Sequence, residues 1–349
     1  MVKLLWRSTL SLLITFGFLG QPALAIEGGS NAVDNSVVVR IQLTFTKYST
    51  FCSGALLSPN IVVTADHCIK LVGESNKDNL LQKAKVAPPG ALIDVSEQSF
   101  VDVIDIFYTP REGKNGAAFL VLESALPLQL PVRIATTLEI ENIKSTKSPV
   151  TFLGYGTVDR NQVIYPRLPQ VAEGELFLDR ENTNVHFRSY PAAPCAGDSG
   201  GPIIQEKENQ IILVGVINGP WYVDPKTYCS FHNWSPEGIR QEKLYKYSVY
   251  IPLDTIDAMS DAKLALNAAT KIVESKAKAE AEAKAAAELR AKQEAEAKAA
   301  AELVARLEAE AKAKLEAANK KVTITCVKGK TVKKVTSVNP KCPSGYRKK

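Results

Sequence analysis

The octapeptide Cys195-Ala196-Gly197-Asp198-Ser199-Gly200-Gly201-Pro202 sets one serine beside an aspartate and among three glycines. A serine hydroxyl is a poor nucleophile at its free pKa. Acyl transfer at such a group needs a base within hydrogen-bond reach and backbone N–H donors aimed at the developing oxyanion. A candidate base stands 132 residues upstream, His67 in Thr64-Ala65-Asp66-His67-Cys68. The only other histidines are His186 and His232.

Working outward, Phe51-Cys52-Ser53-Gly54-Ala55-Leu56-Leu57 precedes the histidine motif, and Gly154-Tyr155-Gly156 lies between the two motifs. These four segments, in this order, resemble the chymotrypsin-like (trypsin family) serine proteases over about 230 residues. The resemblance implies an all-β fold of two six-stranded antiparallel β-barrels. Residue by residue, it makes Ser199 the nucleophile and His67 the general base of the Ser-His-Asp template. It makes the N–H groups of Gly197 and Ser199 the oxyanion hole, and Cys68 the disulfide partner of Cys52. Asp198 becomes the buried carboxylate that pairs with the mature N-terminus, for which Ile26-Glu27-Gly28-Gly29 is the match. The selectivity position falls on Ala193, next to Pro194, with Asn218 on the substrate-binding segment. With no carboxylate there, an uncharged residue is expected at the cleavage site.

The chain departs from that pattern at the third member of the triad. The segment Gly116-Ala117-Ala118-Phe119-Leu120-Val121-Leu122 matches the strand that normally opens with the triad Asp, and it puts Gly116 there, or Asn115 if shifted by one. Neither ionises, and Asp to Asn at this position of a Ser-His-Asp triad costs about 10⁴ in turnover. Two readings stay open: an active secreted endopeptidase with a relocated orienting group, and a pseudoprotease that binds or tethers. Asp66 replaces the small residue usual before the base, so a carboxylate is gained near where one is lost. Asp66 is the first candidate to orient His67, and Asn218 is the second.

Residues 1–25 carry Lys3 and Arg7, a short apolar run and Pro22-Ala23-Leu24-Ala25, the pattern of a secretory signal cleaved before Ile26. The apolar run is too short for a membrane anchor. Six cysteines in a secreted chain favour disulfides over metal ligation, and they fall into local pairs: Cys52/Cys68, Cys195/Cys229 and Cys326/Cys342. No metal site and no cofactor is expected.

Residues 26–259 show short β-branched runs separated by Gly, Pro and Asn, the texture of an all-β domain. Residues 260–319 are dominated by Ala, Glu, Lys and Leu, and Ala281–Leu289 recurs as Ala295–Leu303. Pairs such as Glu280/Lys284, Glu288/Lys292, Glu294/Lys298 and Glu308/Lys312 suit a solvated helix. A single spacer helix of about 90 Å and a coiled coil both fit, although an Ala-dominated seam buries little. Residues 320–349 hold ten Lys or Arg and no acid, against 31 basic and 37 acidic residues over 26–319. They read as a hairpin closed by Cys326 and Cys342, or as a disordered basic tail. The charge asymmetry points to a tail that clings to an anionic cell-surface or wall polymer, not to specific nucleic-acid binding; polypeptide substrates are what the protease resemblance implies. The expected location is outside the cell, associated with its surface.

Overall fold

A computed structural model describes residues 26–32, 37–44, 49–70, 84–94, 96, 99–109, 116–159, 162–178, 185–189, 191–220, 229 and 246–349. The expected signal segment and His232 lie outside the described residues.

Strand β1 (Ser30–Asn31) precedes a closed barrel made of β2 (Val38–Thr44), β3 (Ser49–Ser58), β4 (Ile61–Ala65), β5 (Ala84–Val86), β6 (Val101–Phe107) and β7 (Ala117–Leu122). The five-residue helix α1 (Asp66–Lys70) follows β4 directly. Around the barrel the order is β2-β3-β4-β7-β6-β5, and β5 pairs back to β2. Side chains alternate between the two faces of a strand, and on β7 both faces are apolar. Ala118, Leu120 and Leu122 fill the barrel interior, while Ala117, Phe119 and Val121 face the second barrel.

After β8 (Val132–Ile134) and helix α2 (Thr137–Thr146), β9 (Pro149–Gly154), β10 (Gln170–Leu178), β11 (Val185–Ser189), β12 (Pro202–Lys207), β13 (Gln210–Pro220) and β14 (Lys246–Pro252) build the second barrel. It closes because β9 pairs with both β10 and β12, giving six antiparallel strands. Strand β1 adds beside β10, and β8 runs parallel beside β13. Val150, Phe152, Leu176, Phe187, Val214 and Tyr250 pack its interior. Leu153, Ile204, Leu213 and Val216 join Val63, Phe119 and Val121 in a core shared by the two barrels. The two-barrel fold expected from the motifs is the fold observed.

Helix α3 (Ile256–Ala318) then runs unbroken for 63 residues. The compact unit that holds both barrels reaches Val273, beyond the boundary at 259/260 that composition suggests. Ala258, Asp261, Ala265 and Ala269 on its first turns are buried, and the three alanines belong to the shared core. From Glu274 onward the helix is exposed throughout, and its bulky Leu289, Leu303, Leu307 and Leu315 are each more than half exposed. Its ion pairs include Lys278–Glu282, Lys292–Glu296 and Glu310–Lys314. These are not the pairs read from the sequence. Exposed lysines with acids four residues away on either side choose between them at little cost.

The last segment is an ordered sheet. Strands β15 (Val322–Lys328), β16 (Thr331–Ser337) and β17 (Arg347–Lys348) assemble in the order β16-β15-β17, with the Cys326–Cys342 disulfide closing it. The Thr323 and Thr336 hydroxyls meet across the hairpin at 2.7 Å, and Lys333 stands over the Tyr346 ring at 5.5 Å.

Candidate active site

The two barrels meet where β4 ends in α1 and where the loop into β12 carries Ser199. Both motifs found in the sequence therefore arrive at one cleft. The Cys52–Cys68 disulfide ties α1 to β3, and Cys68 Sγ lies 3.7 Å from the Ser199 carbonyl oxygen. Cys195–Cys229 ties down the start of the nucleophile loop. His67 and Ser199 are both half-buried. In this conformation the Ser199 hydroxyl donates to the Asn218 carbonyl oxygen at 3.2 Å, so Asn218 adjoins Ser199 through its backbone.

The loop owes its shape to backbone contacts that only glycine permits. Gly197 has φ +98, and a Cβ on it would stand 3.0 Å from Gly156 Cα and 3.1 Å from the Phe51 ring. Gly200 has φ +81, and a side chain there would overlap the Thr64 hydroxyl and the Ser53 carbonyl. Both positions exploit the left-handed region open to glycine. Gly200 N–H donates to Ile217 O at 2.7 Å and Ile217 N–H to Gly201 O at 2.8 Å, which docks the loop on β13.

Asp198 is fully buried. Its two oxygens accept from Gly156 N–H and Cys195 N–H, each at 2.7 Å. Its carboxylate fills the space where Gly154 and Gly156 lack side chains, which accounts for the Gly-Tyr-Gly motif. Burial pushes its carboxyl up to about 7, against the lowering effect of the two hydrogen bonds. Ile26 is also fully buried, among the second-barrel core residues. Glu27 bridges to Ala193, whose N–H donates to Glu27 O at 2.8 Å. Ile26 carries φ +57, a left-handed conformation that is strained for a β-branched residue. Ala193 and Pro194 are buried, Ala193 against the Cys195–Cys229 bridge.

On the base side, Asp66 is the first residue of α1 and is fully buried. Its N–H donates to Gly116 O at 2.8 Å. Its Oδ2 lies 3.4 Å from the point that a Gly116 Cβ would occupy, with the Thr109 carbonyl 3.7 Å from that same point. No hydrogen bond joins His67 Nδ1 to this carboxylate in the conformation described. Thr109 in turn donates through its hydroxyl to Asp261 Oδ2 on α3 at 2.9 Å. Asn115 lies outside the described residues, and His186 is buried on β11 within the second barrel.

Two site residues carry contacts that the motifs did not announce. Asp261 supports the segment behind Gly116. Ser53, next to a disulfide cysteine, makes hydrogen bonds to both sides of the cleft. The sequence signal for Ser53 was faint, a small polar residue inside a buried β-run. Asp261 gave no sequence signal, being one acid among many in a charged helix.

Two antiparallel barrels, with a serine on a glycine-shaped loop of one and a histidine on α1 at the edge of the other, form a serine peptidase scaffold. The chain belongs to the trypsin family: the family model described as "Trypsin" matches residues 26–232, more than half of the chain. It is similar to trypsin of Sus scrofa, 24% identical over 236 residues that cover 61% of this chain and 95% of that protein. It is also similar to a trypsin-like protease of Streptomyces glaucescens, 24% identical over 208 residues covering 55% of this chain and 71% of that protein. Chymotrypsin-like elastase family member 3A of Homo sapiens is 26% identical over 196 residues, covering 50% and 70%.

Proposed function

We propose that this chain is a secreted serine endopeptidase whose triad acid has moved from the Gly116 position to Asp66. The observation that carries this reading is the Asp66 carboxylate lying within van der Waals contact of the space above Gly116. Ser199 Oγ turns from Asn218 O towards His67 and attacks the scissile carbonyl while His67 Nε2 takes its proton. The charge that forms on the carbonyl oxygen meets the N–H groups of Gly197 and Ser199. The imidazolium returns its proton to the leaving amine, and water repeats the sequence to release the acyl group. Asp66 supplies the negative charge beside the imidazolium, accepting from Nδ1–H as the complex forms. Hydrogen bonds of this kind tighten on substrate binding, so their length before it does not argue against the role.

Three further parts belong to this reading. Signal cleavage before Ile26 frees an ammonium for Asp198, and it removes the strained φ of Ile26 by deleting the peptide bond that defines it. Ala193 favours an uncharged residue at the cleavage site. The basic residues 320–349 hold the enzyme to an anionic cell-surface polymer, with the exposed helix as spacer. Labelling with an active-site-directed fluorophosphonate tests the whole: the chain from Ile26 should react and Ser199→Ala should not. A correctly folded chain that neither reacts nor cleaves peptides would be the pseudoprotease of the other reading.

A further inference from the structure

We infer that Ser53 is a positioning residue for the oxyanion hole, clamping from behind both residues whose N–H groups form it. This rests on the peptidase reading of the site. Ser53 is fully buried on β3, in the first barrel, yet its hydroxyl and its N–H bond to the second. Its hydroxyl donates to Gly197 O at 2.8 Å, and its N–H donates to Ser199 O at 3.0 Å. The same hydroxyl oxygen accepts from Tyr155 N–H at 2.9 Å, one residue before the Gly156 N–H that binds Asp198. Its carbonyl accepts from the Thr64 hydroxyl at 2.8 Å, on the strand that leads to Asp66 and His67.

The two upper bonds differ in kind. Any residue at position 53 offers the N–H to Ser199, but only a hydroxyl can donate to Gly197 O while accepting from Tyr155 N–H. That bond matters most at Gly197, because a glycine at φ +98 has other basins open to it at little cost. Once the Gly197 carbonyl turns, the backbone that aims both oxyanion donors is no longer held to one geometry. Loss of an oxyanion donor outright costs about 10²–10³ in kcat. Loosening two donors that remain present should cost less, about 10- to 50-fold in kcat, with KM nearly unchanged.

The test uses the full chain from Ile26. Ser53→Ala should lower kcat by that factor and weaken a peptidyl aldehyde, whose adduct places an oxyanion in the hole, by a similar factor. A peptide amide of the same sequence, which places no charge there, should bind as before. Ser53→Thr, which keeps the hydroxyl, should recover most of the loss. Equal losses for aldehyde, amide and KM would mean a merely structural serine and overturn the proposal, as would unchanged kcat in a folded Ser53→Ala. Wild type that neither turns over nor reacts with a fluorophosphonate defeats the peptidase reading instead. The clamp is then read by amide hydrogen exchange at Tyr155, which should quicken in Ser53→Ala and which, if unchanged, overturns it.

Discussion

Around Ser199 the site is positioned by backbone, whereas around His67 the proposed orienting group is a single side chain lodged in the space over Gly116. The nucleophile loop is held by hydrogen bonds from Gly200, Ile217, Ser53 and Thr157, and by a buried aspartate that two N–H groups grip. The contacts of Asp198 and Gly200 follow from the Gly-Asp-Ser-Gly-Gly pattern and the Gly-Tyr-Gly segment that receives it, while those of Ser53 and Thr157 are added from outside it. The base half keeps the histidine and its disulfide but has a glycine at the position of the acid, with the Asp66 carboxylate lying over that glycine. Backbone geometry is dictated by many residues at once and is hard to relocate. A carboxylate is one group, and a neighbouring residue that reaches the same space can supply it.

The comparison breaks first at Asp66. Asp66→Ala should lower turnover by about 10³–10⁴, the scale seen when the acid of a Ser-His-Asp triad is neutralised, with melting temperature little changed. Gly116→Asp alone should not help. Its carboxylate would meet Asp66 in a buried site, where two like charges cannot both ionise, so activity falls. Combining Asp66→Ala with Gly116→Asp should restore much of the turnover. Steady-state kinetics on the three variants decide it: Asp66→Ala equal to wild type, with Gly116→Asp faster, would sink the relocation.

A second probe sharpens the nucleophile half. In a chain still carrying residues before Ile26, the buried Asp198 has its carboxyl raised to about 7, well above its unfolded value. The unfolded state then binds fewer protons than the native one between those two values. Stability is therefore full below pH about 4, declines as pH rises towards about 7, and levels off above that, where the carboxyl is ionised in both states. A chain starting at Ile26 gives Asp198 an ammonium partner, and that decline should disappear. Thermal unfolding of both chains from pH 4 to 8 reads the difference; identical profiles would mean that Ile26 does not reach Asp198.

What the sequence made legible follows the same divide. Ser199, His67 and the three cysteine pairs could be read because the chemistry admits few residue types, and all three disulfides form as paired. Asp66 stood out because a carboxylate appears one residue before the base in a chain that lacks one at Gly116. Ser53 did not stand out, since a serine in a β-run gives no sign of which atoms will face it across a barrel interface. The end of the catalytic unit was blurred for a different reason. Alanine serves both as the packing residue at Ala258, Ala265 and Ala269 and as the solvent-facing residue beyond Val273, so composition shows no edge where burial stops.

That blurred edge yields the smallest expected effect and a correction to the reading from composition. A chain ending near Asp261 would seem to keep the whole peptidase, since the Ala-rich helix looks like a spacer from its start. The structure puts Ala258, Asp261, Ala265 and Ala269 inside the catalytic unit, and it bonds Asp261 to Thr109 behind Gly116. A chain ending at Val273 should therefore retain full activity and lose only salt-sensitive attachment to anionic polymer, because everything after it on the helix is exposed. One ending at Ser260 uncovers core beside the first barrel and frees Thr109, whose carbonyl lies 3.7 Å from the point that a Gly116 Cβ would occupy. With about 0.8 kcal/mol lost for each methyl-sized group uncovered, plus the buried hydrogen bond at about 1 kcal/mol, its melting temperature should drop by several degrees. Turnover should fall a few-fold, through Asp66. Asp261→Asn separates the two causes: it keeps the packing, and if it lowers kcat without lowering the melting temperature, the helix acts on the site through Thr109. Unchanged kinetics in both the Ser260 truncation and Asp261→Asn would return the first helical turns to the spacer.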